Sequence, residues 1–136
     1  MKYGTEEHRE YKLNYMGLLD KLFRYKKGAE NKGIEYEHAV IVHFTYYKDD
    51  LDPLHDLEKK LEKIIKEKGV GEYDGHEIAV DMSDGFLYMY GVNAEELFKT
   101  VKPILEQTDF TRGALARLRF GGPEPGAKEI EIEIEK

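Results

Sequence analysis

Between residues 38 and 134, apolar side chains switch between every second position and every third or fourth, and the order of these switches constrains the fold. Residues 38–47 read as a strand. Val40, Val42 and Phe44 alternate there with Ile41, His43 and Thr45, so both faces are at least partly apolar, as a central strand requires. Asp52 before Pro53 is an N-cap and first-turn pair. Leu54, Leu57, Leu61, Ile64 and Ile65 follow as one helical stripe opposite Glu58, Lys59, Glu62 and Lys66, and Gly69 sits where a C-terminal cap belongs. Residues 76–82 are strand-like, Ser83-Asp84-Gly85 reads as a tight turn, and residues 86–90 return as the second arm of a hairpin. Asn93, with Glu96 three residues on, opens a second helix carrying Leu97, Phe98, Val101, Ile104 and Leu105. Pro103 is expected to kink or shorten that helix. Residues 114–120 form a fourth strand and residues 121–126 a Gly- and Pro-rich loop. Ile130, Ile132 and Ile134 then alternate with glutamates in a fifth strand whose charged face suits a sheet edge.

The order β-α-β-β-α-β-β is that of the ferredoxin-like split βαβ unit with one added hairpin strand. The expected class is therefore α+β, a two-layer sandwich with a five-stranded, mainly antiparallel sheet. Right-handed crossovers give the strand order 5-4-1-3-2, with both helices on one face. Strand parity sends Val40, Val42, Phe44, Ile78, Val80, Leu87, Met89, Ala116, Leu118 and Phe120 toward the helices. The opposite face receives Ile41, His43, Thr45, Phe86, Tyr88, Tyr90, Arg117 and Arg119. Glu77, Ala79, Asp81, Glu131 and Glu133 join them there. Arg117 and Arg119 are expected to pair with the glutamates of the last strand.

Charge divides the chain into two regions. Residues 1–33 hold eight basic and five acidic side chains, net +3, which leaves −10 of the overall −7 on residues 34–136. The domain reading is a basic amphipathic leader and linker over 1–33 followed by an acidic domain over 34–136. Leu18, Leu19, Leu22 and Phe23 fall on one helical face of the leader; peripheral contact with a membrane surface is one reading, but so few apolar residues favour a helix packed on its own domain. An acidic body repels phosphate backbones and disfavours nucleic acid as a partner. No apolar run approaches the ~20 residues of a membrane span, and the polar first fifteen residues lack the apolar core of a secretory signal. With no cysteine there is no disulfide, thiol catalysis, iron–sulfur cluster or thiolate zinc site, which fits a cytoplasmic setting.

Motifs that carry chemistry are sparse. Gly85-Phe86-Leu87-Tyr88-Met89-Tyr90 is similar to the aromatic third strand of RNA-recognition motif domains, where alternate rings stack on bases. Asp84 stands where that motif has a basic residue, however, and Ile41 replaces an aromatic in the companion strand. Glu72, Asp74, His76, Glu77 and Asp81 form a dense set of candidate metal ligands, but they meet no ligand-spacing rule, and a solvated edge strand explains them with fewer assumptions. Ser83, the only serine, lacks the context of an activated nucleophile. His43 near Tyr88 or Tyr90 offers an acid–base pair, the enzymatic alternative. No cofactor is implied.

Gly71-Glu72-Tyr73-Asp74-Gly75-His76-Glu77, then Gly85-Phe86-Leu87-Tyr88-Met89-Tyr90-Gly91, then Asn93-Ala94-Glu95-Glu96-Leu97-Phe98 resemble a small family of bacterial ferredoxin-like proteins without assigned function, over residues 70–121. The resemblance implies a stand-alone bacterial cytoplasmic domain and supplies no catalytic residues. The expectation from all of these features is a non-catalytic domain that docks a protein partner, or a second copy of itself as a homodimer. Its contact surface would be the aromatic sheet face formed by Ile41, His43, Phe86, Tyr88, Tyr90, Arg117 and Arg119, open unless the Tyr and Leu side chains of residues 1–33 lie over it, an alternative of equal weight.

Overall fold

The computed structural model describes the backbone of residues 11–13 and, with side chains, residues 37–122 and 125–136. The elements in chain order are β1 (Tyr11–Leu13), β2 (His38–Thr45), α1 (Asp52–Lys68), β3 (Glu72–Ala79), β4 (Asp84–Gly91), α2 (Ala94–Gln107), β5 (Leu115–Phe120) and β6 (Lys128–Glu133). A 3-10 turn, Asp109–Thr111, leads from α2 toward β5. The protein is α+β, with an antiparallel sheet ordered β1-β3-β4-β2-β5-β6 and two helices packed on one side of it. Five strands come from the acidic body. The sixth, β1, belongs to the leader and pairs Tyr11 with Ala79 and Leu13 with Glu77, so β3 is not an edge strand.

Strand β2 lies at the heart of the sheet, with Val40 opposite both Met89 of β4 and Leu118 of β5. Val40, Val42, Phe44, Ile78, Leu87, Met89, Ala116 and Leu118 face the helices and merge with Leu54, Leu57, Leu61, Ile65, Leu97, Val101 and Leu105 in one core. Ala39, Phe86, Tyr88 and Tyr90, with Ile41, form a second cluster on the other face. Alternation therefore divides the strands as parity requires, but that second face is not exposed. Phe86, Tyr88 and Tyr90 retain only 5%, 6% and 8% of their accessible surface, which corrects the expectation of an open aromatic surface.

Several local boundaries shift for identifiable reasons. Helix α1 is preceded by Leu51 as its N-cap, and Asp52 is already a first-turn residue. Asp50 Oδ1 accepts the Asp52 N–H at 2.9 Å, doing locally what a capping side chain does. At the other end Gly69 takes φ +65°, and Val70 N–H reaches back to the Ile65 carbonyl at 3.3 Å, closing the helix in a left-handed cap. Asn93 caps α2 as its sequence implies, its side chain accepting the Glu96 N–H at 3.0 Å. That helix runs through Pro103 to Gln107, so the proline does not end it.

The hairpin turn sits earlier than Ser83-Asp84-Gly85. Asp81 Oδ1 accepts both the N–H and the hydroxyl of Ser83, and Met82 adopts φ +66°, so the chain reverses over residues 80–83 and β4 begins at Asp84. Val80, assigned to the core by parity, falls in this turn and is 62% exposed. Tyr73-Asp74-Gly75, despite the Asp-Gly pair that commonly marks a turn, is extended. It lies within β3, where the register shifts between Tyr73 and Gly75 and leaves Asp74 as the extra residue of a bulge. Beyond β4, Arg117 Nη2 meets Glu131 at 2.9 Å and Arg119 Nη1 meets Glu129 at 2.5 Å, the expected cross-strand pairs. The leader segment carrying Leu18, Leu19, Leu22 and Phe23 lies outside the described residues. Among the described residues no helix is long and apolar enough to cross a membrane.

Leu87 is fully buried where the sheet meets both helices, whereas Leu115 is 43% exposed. Leu87→Ala should lower the free energy of unfolding by about 2–5 kcal/mol. Leu115→Ala should change it by only about 0.5 kcal/mol or less. Urea titration of both variants checks this contrast.

Candidate functional site

The clearest candidate site lies at the end of the sheet where β2 finishes and β4 and β5 begin. His43 sits in β2 opposite Phe86 and Leu115, and Asp84 opens β4 opposite Thr45. That register brings His43 Nε2 to 2.6 Å from Asp84 Oδ2. An ionised carboxylate can only accept, so this contact makes Nε2 the protonated nitrogen. The His43 ring also stacks on Phe86, with centroids 4.4 Å apart and planes 9° from parallel, which fixes its second rotational degree of freedom. Sequence reasoning singled out His43 and set it near Tyr88 or Tyr90. Its carboxylate is Asp84, while the Tyr88 hydroxyl donates to Glu77.

A cavity of about 310 Å³ opens beside this pair. Thr45, Tyr47, Ser83 and Arg112 supply its polar wall together with the His–Asp pair, and Phe44, Phe110, Ala114 and Leu115 its apolar wall. The backbone on one side of the cavity is strained. Tyr47 holds φ +53° and Met82 φ +66°, in the region that side chains other than glycine rarely adopt. The two are joined directly, since Tyr47 N–H donates to the Met82 carbonyl at 2.8 Å. Tyr47 is 74% exposed, so no burial of its ring offsets that cost. Strain of this kind, of order 1–3 kcal/mol per residue, concentrates at ligand sites. Tyr47, Arg112 and the 3-10 segment carry no sequence motif, which is why periodicity alone did not reveal them.

A second polar constellation is buried between α1 and β3. Glu58, placed by helical periodicity on the solvent side, turns its Oε2 onto two neighbours. The Tyr73 hydroxyl donates to it at 2.5 Å and His76 Nδ1 lies 2.7 Å away. His76 is completely buried, and its Nε2 has no hydrogen-bond partner among the described residues. This corrects the picture of a solvated edge for the 72–81 carboxylate and imidazole set, because Asp74 at 5% exposure and His76 at 0% are interior groups. Among the described residues no group of three or more His, Asp or Glu side chains is placed to hold a metal ion. Burial of the Tyr73 hydroxyl, reinforced by the Glu58 carboxylate, pushes this phenol well above its ordinary value.

Of the residues expected to form an interaction surface, Ile41, Phe86, Tyr88 and Tyr90 share one packed cluster. Arg117 and Arg119 are taken up by the glutamates of β6, and only His43 reaches the cavity. No family model, curated protein or solved structure matches the chain.

The Tyr73 shift has a definite sign in a stability experiment. The phenol ionises near pH 10 in the unfolded chain but only at higher pH when folded, so the native state binds more protons above pH 10. Stability from this group is intact below about pH 10 and declines as pH rises beyond it. Tyr73→Phe should cost about 1.5–3 kcal/mol at pH 8, the worth of a hydrogen bond to a charged acceptor. It should also flatten the alkaline decline, leaving the smaller part due to Tyr46, which burial raises in the same direction. Denaturant unfolding at pH 8 and pH 11 measures both effects.

Proposed function

We propose that this protein is a small-molecule-binding domain of ferredoxin-like type, with its ligand seated in the cavity at the β2–β4–β5 end of the sheet. The observation that carries the reading is a 310 Å³ cavity whose wall holds the His43–Asp84 pair at 2.6 Å. Its volume lies at the lower end of the range for small-molecule sites, and its lining follows their usual composition of apolar walls with a few convergent polar groups. The ferredoxin-like assignment is supported by two helices on one side of an antiparallel sheet whose central strand is the first of the acidic body.

Within the site, His43 is the group suited to recognise a ligand by hydrogen bonding or to exchange a proton with it, because a carboxylate and a stacked ring already hold its imidazole in place. The Ser83 hydroxyl donates to Asp81 at 2.6 Å, so its role is to shape the turn beside the pocket. The alternatives based on the sheet face receive less support. Docking of a protein partner and stacking of bases both call for accessible rings, and Phe86, Tyr88 and Tyr90 are buried.

A fragment library screened by amide chemical shifts on the labelled protein tests the reading. Bound fragments should move the signals of His43, Ser83, Gly113 and Leu115 together. Thr45→Trp, a substitution at an exposed wall position, should weaken those fragments at least tenfold without changing the fold. Fragments that bind elsewhere, or that bind the Trp variant equally well, would refute the site.

A further inference from the structure

We infer that the ligand of this pocket is a small apolar carboxylate, with its charged end held at the Arg112–Gly113 side of the cavity and its apolar body against Phe110 and Leu115. This rests on the reading of the cavity as a ligand site and adds the ligand's chemistry to it.

The chain carries a net −7, yet the cavity wall includes Arg112, and the aliphatic stem of Lys136 packs on Gly113 of that wall. Arg112 lines the pocket and is exposed to solvent. Lys136 comes to the same place because Gly113, at φ +84°, has no side chain. A Cβ on Gly113 would stand 3.1 Å from Lys136 Cε, so the lysine stem lies across the glycine at the pocket wall. Hydrogen bonds from Gly113 N–H to the Ile134 carbonyl and from Ile134 N–H to the Ala114 carbonyl, each 2.8 Å, anchor the segment that carries it. Arg112 and Lys136 have no ion-pair partner among the described residues, whereas Arg117 and Arg119 are both neutralised by glutamates. Lys48 is also close, 5.8 Å above the Phe110 ring, but it is already shared with Asp109 at 3.3 Å.

The opposite side of the cavity determines how much negative charge the site tolerates. Asp84 is in the wall, bound to His43. A ligand with one negative charge can place it on the Arg112 guanidinium, whose planar fork matches a carboxylate, and turn an apolar body toward the rest of the wall. A dianionic phosphate would meet Asp84 and Asp109 with about twice the repulsion. Phe44, Phe110, Ala114 and Leu115 provide an apolar surface for that body. At roughly 30 Å³ for each water-sized group, the volume accommodates about ten non-hydrogen atoms.

The test titrates the labelled full-length chain at low salt with phenylacetate, its uncharged analogue 2-phenylethanol, and inorganic phosphate. Phenylacetate should shift the Ser83, Gly113 and Leu115 amides and bind at least tenfold more tightly than 2-phenylethanol. The double variant Arg112→Gln/Lys136→Gln, altered only at exposed positions, should abolish that preference. Equal binding of the acid and the alcohol in the pocket, or a preference that survives in the double variant, overturns the carboxylate inference and leaves the pocket reading standing. Phosphate binding more tightly than phenylacetate overturns it as well, as does silence from all three probes while other fragments occupy the pocket. If no fragment of any charge shifts the pocket amides, the ligand-site reading fails along with it.

Discussion

Strand β2 is hydrogen-bonded on both sides, to β4 through eight residue pairs and to β5 through six, and it carries apolar groups on both faces. A strand so placed cannot slip by one residue without exchanging Val40, Val42 and Phe44 for Ala39, Ile41 and His43. Its register fixes everything that follows. It sets Leu87 and Met89 against the helices, sends Phe86 and Tyr88 to the other side, and brings His43 diagonally to Asp84. The cavity is thus a consequence of sheet register, built where the central strand ends and its two neighbours begin. The apolar layer beneath it holds the wall still, since Phe44 and Phe110 belong both to the core and to the pocket lining.

The Tyr73–Glu58–His76 group works differently. It joins helix to sheet through a carboxylate that is 15% exposed and accepts from a phenol and a fully buried imidazole. Such a link adds less net stability than its short distances suggest, because the charge gives up solvent on entering the interior. It does specify how α1 sits. Sliding the helix by one turn would leave His76 Nδ1 and the Tyr73 hydroxyl buried without an acceptor, which costs more than the bonds contribute when formed. The bulge at Asp74 serves this arrangement, because the extra residue lets Tyr73 and His76 both face α1 across a register shift.

Much of the fold was legible from spacing alone. The stripe from Leu54 to Ile65 and the capping side chain of Asn93 located the two helices, and alternation assigned most strand residues to the correct layer. Arg117 and Arg119 found their glutamates because cross-strand neighbours follow from register. Turn chemistry was harder to read. Asp81 and Ser83 make a reversal that competes with the more familiar Asp-Gly signal one step later, and only the three-dimensional path decides between them. Glu58 illustrates a second limit, since helical phase places it beside solvent and only a buried histidine on another element draws it inward. Burial of Phe86, Tyr88 and Tyr90 was not legible either, because alternation says which way a ring points and not what lies above it. The cavity escaped notice for a related reason, as its wall is gathered from strand ends and connections that share no periodicity.

That origin gives the cavity a degree of independence from its scaffold. Thr45, Tyr47, Arg112 and Leu115 border it and are exposed, while the fully buried leucines of the core lie a layer below. Side chains at those four positions can be exchanged for larger, smaller or oppositely charged ones without repacking the interior. The molecule is divided into a frame that resists change and a rim that accepts it, which makes it a suitable chassis for engineering new selectivities.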